Sequence, residues 1–346
     1  METTMRLTNG WLALVMTLAR AGWSQETTRL VVDGANEEIV ISVENISIAP
    51  ATPYTHHTAE SYHVISWPVT GWMRGYEVEL LDSTGVALPR HMLHHAGMAN
   101  VNRRQIAYPM AERIFAAAHE TGAVTLPGRY GVPVSAGHQL ALYFALVNPG
   151  SAPVTGAVLR VRLRWAPVES PVTGILPFYA SAKADTRESI SFDIPEGRSE
   201  TSGEFTLPSG GWLRALGGHL HDHGVELRLE DAGSNKVLAR IRAHRDSAGA
   251  LLSIERTRFA LKGKGLRLRA NRRYRVVAVY DNRTGHVITG GAMGFLAGAF
   301  IPENLSAFEH AAASDPRFEA DVARLTSRAP ASVAHGAHGA HGPHER

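Results

Sequence analysis

The segment Val158-Leu159-Arg160-Val161-Arg162-Leu163-Arg164-Trp165 alternates almost strictly between apolar side chains and arginines. Side chains on an extended chain project to opposite faces with a period of two, so this pattern is that of a half-buried antiparallel strand with its arginines outward. Leu30-Val31-Val32, Glu38 to Val43, Tyr76 to Leu81 and Leu140 to Val147 are further short runs rich in β-branched, aromatic or alternating residues, bounded by Gly, Pro, Asn and Asp. The expectation is an all-β chain between residues 29 and 302, built as sandwiches. Met110 to His119 is the exception in the first half, reading as a helix or as a long loop closing over a sheet. Pro316 to Ser327 also has a helical pattern.

The strand pattern repeats. Gly71-Trp72-Met73-Arg74 precedes Tyr76-Glu77-Val78-Glu79-Leu80-Leu81-Asp82, and Gly211-Trp212-Leu213-Arg214 precedes Val225-Glu226-Leu227-Arg228-Leu229-Glu230-Asp231. Later, Tyr143 to Gly150 matches Val277 to Gly285, each a core strand ending in an Asn/Gly turn. Two consecutive antiparallel β-sandwich domains of jelly-roll type are expected, at 26–168 and 171–302. The prolines Pro167 and Pro171 mark the join. The 346 residues, 44% of them hydrophobic, suffice for two cores of this size. Residues 303–346 would add the helix and a flexible His-rich tail.

Met5-Arg6, the apolar run Trp11 to Leu18 and Ala19-Arg20-Ala21 resemble the charged region, apolar core and cleavage site of a signal peptide over residues 1–21. The apolar run is too short to span a bilayer, so no stable membrane insertion is expected once the signal is removed. An exported protein, periplasmic or extracellular, follows. A net charge of +3, with no basic cluster interleaved with aromatics, argues against a nucleic-acid partner.

The chain has no Cys and 18 His. Thiolate ligation and thiol catalysis are excluded, so any metal must be held by His, Met or carboxylate. Six of the 18 histidines fall in two tight groups, His91-Met92-Leu93-His94-His95 and His219-Leu220-His221-Asp222-His223. On a strand, His219 and His221 point to the same face and can present two imidazoles to one ion, which suits copper or zinc. The adjacent pair His94-His95 needs a bulge or a twisted edge to converge. His335, His338, His341 and His344 recur at every third position of the C-terminal tail, which either gathers Cu(II), Ni(II) or Zn(II) weakly or is low-complexity drift. His56, His57, His63, His244, His286 and His310 read as ordinary surface or core residues. No G-x-S-x-G, P-loop, GxGxxG or HExxH motif occurs.

In order and spacing, the His-His pair, the HxH and the later Met293 in Gly290-Gly291-Ala292-Met293-Gly294-Phe295 resemble the copper type II, ascorbate-dependent monooxygenases. These are the family of peptidylglycine α-hydroxylating monooxygenase and dopamine β-monooxygenase. Val172-Thr173-Gly174-Ile175-Leu176 and Phe192-Asp193-Ile194-Pro195-Glu196-Gly197 add to the resemblance, which covers roughly residues 60 to 302. It implies that His219, His221 and Met293 bind the copper that activates oxygen, and that His94 and His95 open the ligand set of a second copper. The implied activity is hydroxylation of a C–H bond of a small substrate with O2 and an external, ascorbate-like reductant. The soft thioether of Met293 would favour Cu(I).

The chain departs from the family at several positions. The third His of the family's first site falls on Asn148, so His91, His119 or His138 would have to complete that site, and one or two copper ions are expected. The residues that grip a peptide carboxylate in the family fall on Gly217, Phe295 and Ala297, which argues against a peptidylglycine substrate. The family's disulfides are absent. A non-catalytic copper-binding or copper-handling protein on the same fold is the alternative; a structural double sandwich without convergent histidines is a third reading.

Overall fold

The computed structural model describes residues 15–18, 26–52, 58, 60–126, 129–183, 191–259, 264–308 and 315–327. The His-rich tail, His56, His57 and His310 lie outside them. Of the expected signal peptide only Val15–Leu18 is described, as an edge strand antiparallel to Thr27–Asp33.

The architecture is all-β. An eight-stranded sheet has Glu38–Ile48, Val154–Pro167, Gly71–Leu81 and Tyr130–Val134 as consecutive neighbours, and it faces a four-stranded sheet ordered Ser61–Ser66, Gln139–Leu146, Leu93–Arg104, Ala111–Ala117. Leu159, Val161 and Leu163 are fully buried, as the alternation of that strand requires, and they meet Leu140, Leu142, Phe144 and Leu146 from the opposite sheet in one core. The outward Arg160 and Arg162 pair with Glu79 on the neighbouring strand.

The same strand order recurs in the second half. Leu176–Ser181, Gly294–Pro302 and Gly211–Leu220 are neighbours in one sheet, with Leu266–Leu268 paired to the last of them. Gly197–Phe205, Tyr274–Asn282, Gly224–Asp231 and Lys236–Arg245 are neighbours in another, to which Leu251–Ile254 adds an edge. A second core, with Leu213, Leu216, Leu227, Leu229, Val276 and Phe300, fills the space between them. The halves also share apolar packing, because Ile106, Ala107, Tyr108 and Met110 belong to this second core. Gln105 Nε2 donates to the Tyr179 carbonyl at 2.9 Å across the same boundary.

Two parts of the repeat correspond in space. Gly71 opens a strand opposite Pro167, and Gly211 opens one opposite Pro302. Asn148 and Asn282 clamp equivalent turns: Nδ2 of each donates to two carbonyls, Ile48 and Ala152 in one case, Ile194 and His286 in the other. Oδ1 of each accepts the amide two residues on, from Gly150 and from Thr284. The match of Tyr76–Asp82 to Val225–Asp231 does not correspond. The former continues the Gly71–Leu81 strand, whereas the latter lies on a separate strand in the other sheet. The ten residues between Arg214 and Val225 carry the chain across the sandwich.

Met110 to His119 is neither helix nor loop; Ala111–Ala117 is a strand paired with Leu93–Arg104. Its Ala, Glu and Arg content favours a helix, but Ala111 to Phe115 are buried on both faces and the sheet context overrides propensity. The helix α1, Pro316–Leu325, forms where its pattern predicts, capped by Asp315 with Pro316 in the first turn. No helix among the described residues is long and apolar enough to cross a membrane.

Candidate metal centre

In each half the histidines flank the point where the chain crosses from one sheet to the other. His94 and His95 lie at the start of the strand after the crossing in the first half, and in the second His219 lies at the end of the strand before it, with His221 just beyond that strand.

A β-bulge gathers the first pair. Along Leu93–Arg104, His95 pairs with Ala145 and Leu93 pairs with Leu146, so His94 is the extra residue between them. The insertion breaks the alternation, and the two adjacent imidazoles face each other with Nδ1 to Nδ1 at 3.0 Å. Two nitrogens about 2.0–2.1 Å from one ion lie this far apart when they subtend close to a right angle there. Nε2 of His95 donates to Glu60 at 2.8 Å. Burial pushes the Glu60 carboxyl up, but the hydrogen bond and charge of His95 outweigh it and hold Glu60 at about 2. An ionised carboxylate only accepts, so His95 carries a proton on Nε2.

The second pair sits at the end of Gly211–Leu220. Gly218 permits the close approach there, since a Cβ at that position would lie 2.4 Å from Leu227 Cδ1 and 2.5 Å from the Phe295 carbonyl oxygen. His219 stands opposite Phe295 in the ladder, and its Nδ1 donates at 2.7 Å to Glu120. Burial pushes Glu120 up, but the charge and hydrogen bond of His219 bring it down to about 2. Arg90 braces the turn that carries Glu120 by donating to the His119 carbonyl. His221 Nδ1 donates to the Gly291 carbonyl at 3.0 Å, which assigns its lone pair to Nε2. Burial, reinforced by the charge of His219, pushes His221 down to about 3 and keeps it neutral.

The two pairs meet. Ring centroids are 5.0 Å apart for His95 and His94, 5.5 Å for His94 and His221, and 5.1 Å for His221 and His219. The imidazole beside the first pair is therefore His221. His138 is hydrogen-bonded to Asn100, toward the far end of the Leu93–Arg104 strand, and His119 lies 3.5 Å from Glu120. His91 is exposed in the short turn before the strand, and Asn148 is engaged in its own turn. His223 takes a left-handed conformation (φ 66°) in the turn after His221 rather than continuing the alternation.

Met293 is linked to His221 through Tyr280. The Tyr280 hydroxyl accepts from the backbone N–H of both His221 and Met293, each at 3.1 Å, and donates to the Met293 carbonyl. The Met293 side chain is partly buried against the second core.

Among the described residues, no three His, Asp or Glu side chains gather so as to hold a metal ion. The imidazoles form a chain of two pairs instead. The residue types nonetheless suit copper: the imidazoles are backed by a carboxylate or a carbonyl on His95, His219 and His221, as metal-binding histidines characteristically are, and Tyr280 ties the backbone of a thioether residue, Met293, to that of His221. Glu60, Glu120 and Tyr280 were not singled out from the sequence. Glu120 lies 99 positions from His219, and no local motif marks it.

No family model and no curated protein matches the chain. Among solved structures, PBCV-1 VP54, fitted into a reconstruction of the virophage Sputnik, is 7% identical, with 78% of this chain and 95% of that one covered and a TM-score of 0.32. PNGF-II is 8% identical, with coverage of 83% and 84% and a TM-score of 0.34. Recombinant pumpkin pro-11S globulin is 9% identical, with coverage of 85% and 86% and a TM-score of 0.14. Likenesses this distant have no bearing on what the chain does.

Proposed function

We propose that this chain is an exported copper-binding protein resembling the ascorbate-dependent copper monooxygenases, hydroxylating a C–H bond of a small substrate with O2 and an external reductant. The observation that supports it is the continuous row His95, His94, His221, His219, three of whose members have their outer nitrogen tied to Glu60, Gly291 or Glu120. In this reading His219, His221 and Met293 hold one ion, and His94 and His95 contribute to a second or to the same one. Bound copper would supply electron transfer to O2. The protein's own groups orient the ligands: Glu120 orients the His219 ring, the Gly291 carbonyl fixes the His221 tautomer, Tyr280 fixes the backbones of His221 and Met293, and the buried environment keeps His221 unprotonated.

Copper titration of the metal-free protein tests the ligand set. Met293→Ala is expected to weaken Cu(I) binding more than Cu(II) binding, and unchanged binding of both would remove Met293 from the site. Ascorbate-driven, copper-dependent oxygen consumption that is lost in His219→Ala/His221→Ala is the expected result for an enzyme.

Asn148 favours a second reading, copper binding without catalysis. It stands where the family has its third first-site ligand, and its side-chain amide is committed to the Ile48 and Ala152 carbonyls. Tight copper binding with no oxygen consumption across candidate substrates would decide for that reading.

A further inference from the structure

We propose that Arg324, on the C-terminal helix α1, is a positioning residue for His95, acting through Glu60. The proposal rests on the reading of His95 as a metal ligand. Glu60 uses its two oxygens differently. Oε1 accepts from His95 Nε2 at 2.8 Å, while Oε2 accepts from the Tyr62 hydroxyl and lies 3.6 Å from Arg324 Nη1. Arg324 Nη1 also donates to the Tyr62 hydroxyl at 3.3 Å. A carboxylate held on both oxygens cannot rotate, so the direction from which it accepts the His95 proton is fixed, and with it the plane of the imidazole.

The helix that carries Arg324 is firmly seated. Asp321 is buried and accepts from the Ala111 backbone N–H at 2.9 Å and from both terminal nitrogens of Arg113 at 2.8 and 2.7 Å. Leu325 is fully buried among Tyr62, Ala99, Ala111 and Ala141. Arg324 itself is held at 3.1 Å by Asp321. Charges therefore alternate from Arg113 through Asp321 and Arg324 to Glu60, which in turn accepts from His95. The Arg324 side chain is 49% exposed, so its ion pairs add little to stability, and orientation is the effect to look for. A helix outside both sandwiches thus reaches a residue of the candidate site.

The test uses the full chain and two readouts. In metal-free protein with 15N-labelled histidine, wild-type His95 should show a single tautomer protonated on Nε2, and Arg324→Gln should shift it toward a mixture. In Cu(II) titrations Arg324→Gln should bind about 10-fold more weakly, the low end of the 10–100-fold range for outer-shell changes, with partial rescue in Arg324→Lys and no additional loss when combined with His95→Ala. Should Arg324→Gln not fold, Tyr62→Phe removes the other partner of the same oxygen and should reproduce both effects. Unchanged His95 resonances and unchanged affinity would overturn the proposal. If wild type bound no copper, the functional reading would fail, and the tautomer measurement would still decide whether Arg324 orients His95.

Discussion

Glu120, on a turn of the N-terminal half, accepts a 2.7 Å hydrogen bond from Nδ1 of His219, on a strand of the C-terminal half. The carboxylate is all but inaccessible to solvent, with 1% of its side chain exposed, so its charge is offset by the imidazole rather than by water. Glu120→Ala is expected to weaken copper binding by about 10–100-fold, the usual consequence of removing the outer partner of a ligating histidine, and Glu120→Gln by less because it keeps an acceptor. Isothermal titration of both variants measures this, and equal affinity in all three proteins would separate His219 from the metal.

The Tyr280 hydroxyl serves three backbone groups of His221 and Met293 within a buried environment. Tyr280→Phe strips all three of this partner with almost no change in volume. A loss of about 1–3 kcal/mol is expected, visible as a fall in the thermal midpoint, together with weaker copper binding. Loss of stability with unchanged binding would make Tyr280 a structural residue only.

Glu112 gives a pH dependence of known sign. It is enclosed between strands, its Oε2 has no hydrogen-bond partner among the described residues, and burial pushes its carboxyl up to about 7, with Arg103 offsetting part of the effect. Because the folded value lies above the unfolded one, its contribution to stability is fully present below about pH 4.5 and is lost as the pH rises to about 7, by up to about 3 kcal/mol. Glu112→Gln removes the titration. Its stability relative to wild type should rise across that window and level off above it, whereas a constant difference in chemical denaturation between pH 4.5 and 8 would show that the carboxyl titrates alike in the folded and unfolded states.

Asn148→His puts an imidazole where the resembling family has one. The amide it replaces bonds two carbonyls and one N–H in a buried turn. The variant is expected to lose about 2–4 kcal/mol of stability and to bind no additional copper, since the buried groups left without partners dominate. A gain in copper stoichiometry would show that the turn can reorganise around a ligand.

What the sequence discloses depends on whether a residue's surroundings are written near it in the chain. Val158–Trp165 is legible because one face meets solvent and the other the core. Ala111–Ala117 is not, because both faces are covered and the buried Arg113 owes its place to Asp321, 208 residues away. The clusters around His94 and His219 stand out by composition and spacing. The juxtaposition of His94 with His221 and the role of Glu120 come only from packing one half against the other, and the role of Glu60 from folding the first half on itself.

The bulge at His94 makes the first pair a matter of strand parity. A residue inserted in the neighbouring strand between Ala145 and Leu146 would stand opposite His94 in the ladder, restore regular alternation and send the two imidazoles to opposite faces of the sheet. The facing pair of imidazoles is therefore encoded jointly by two strands. It can be dismantled by a length change some fifty residues away that leaves every histidine in place.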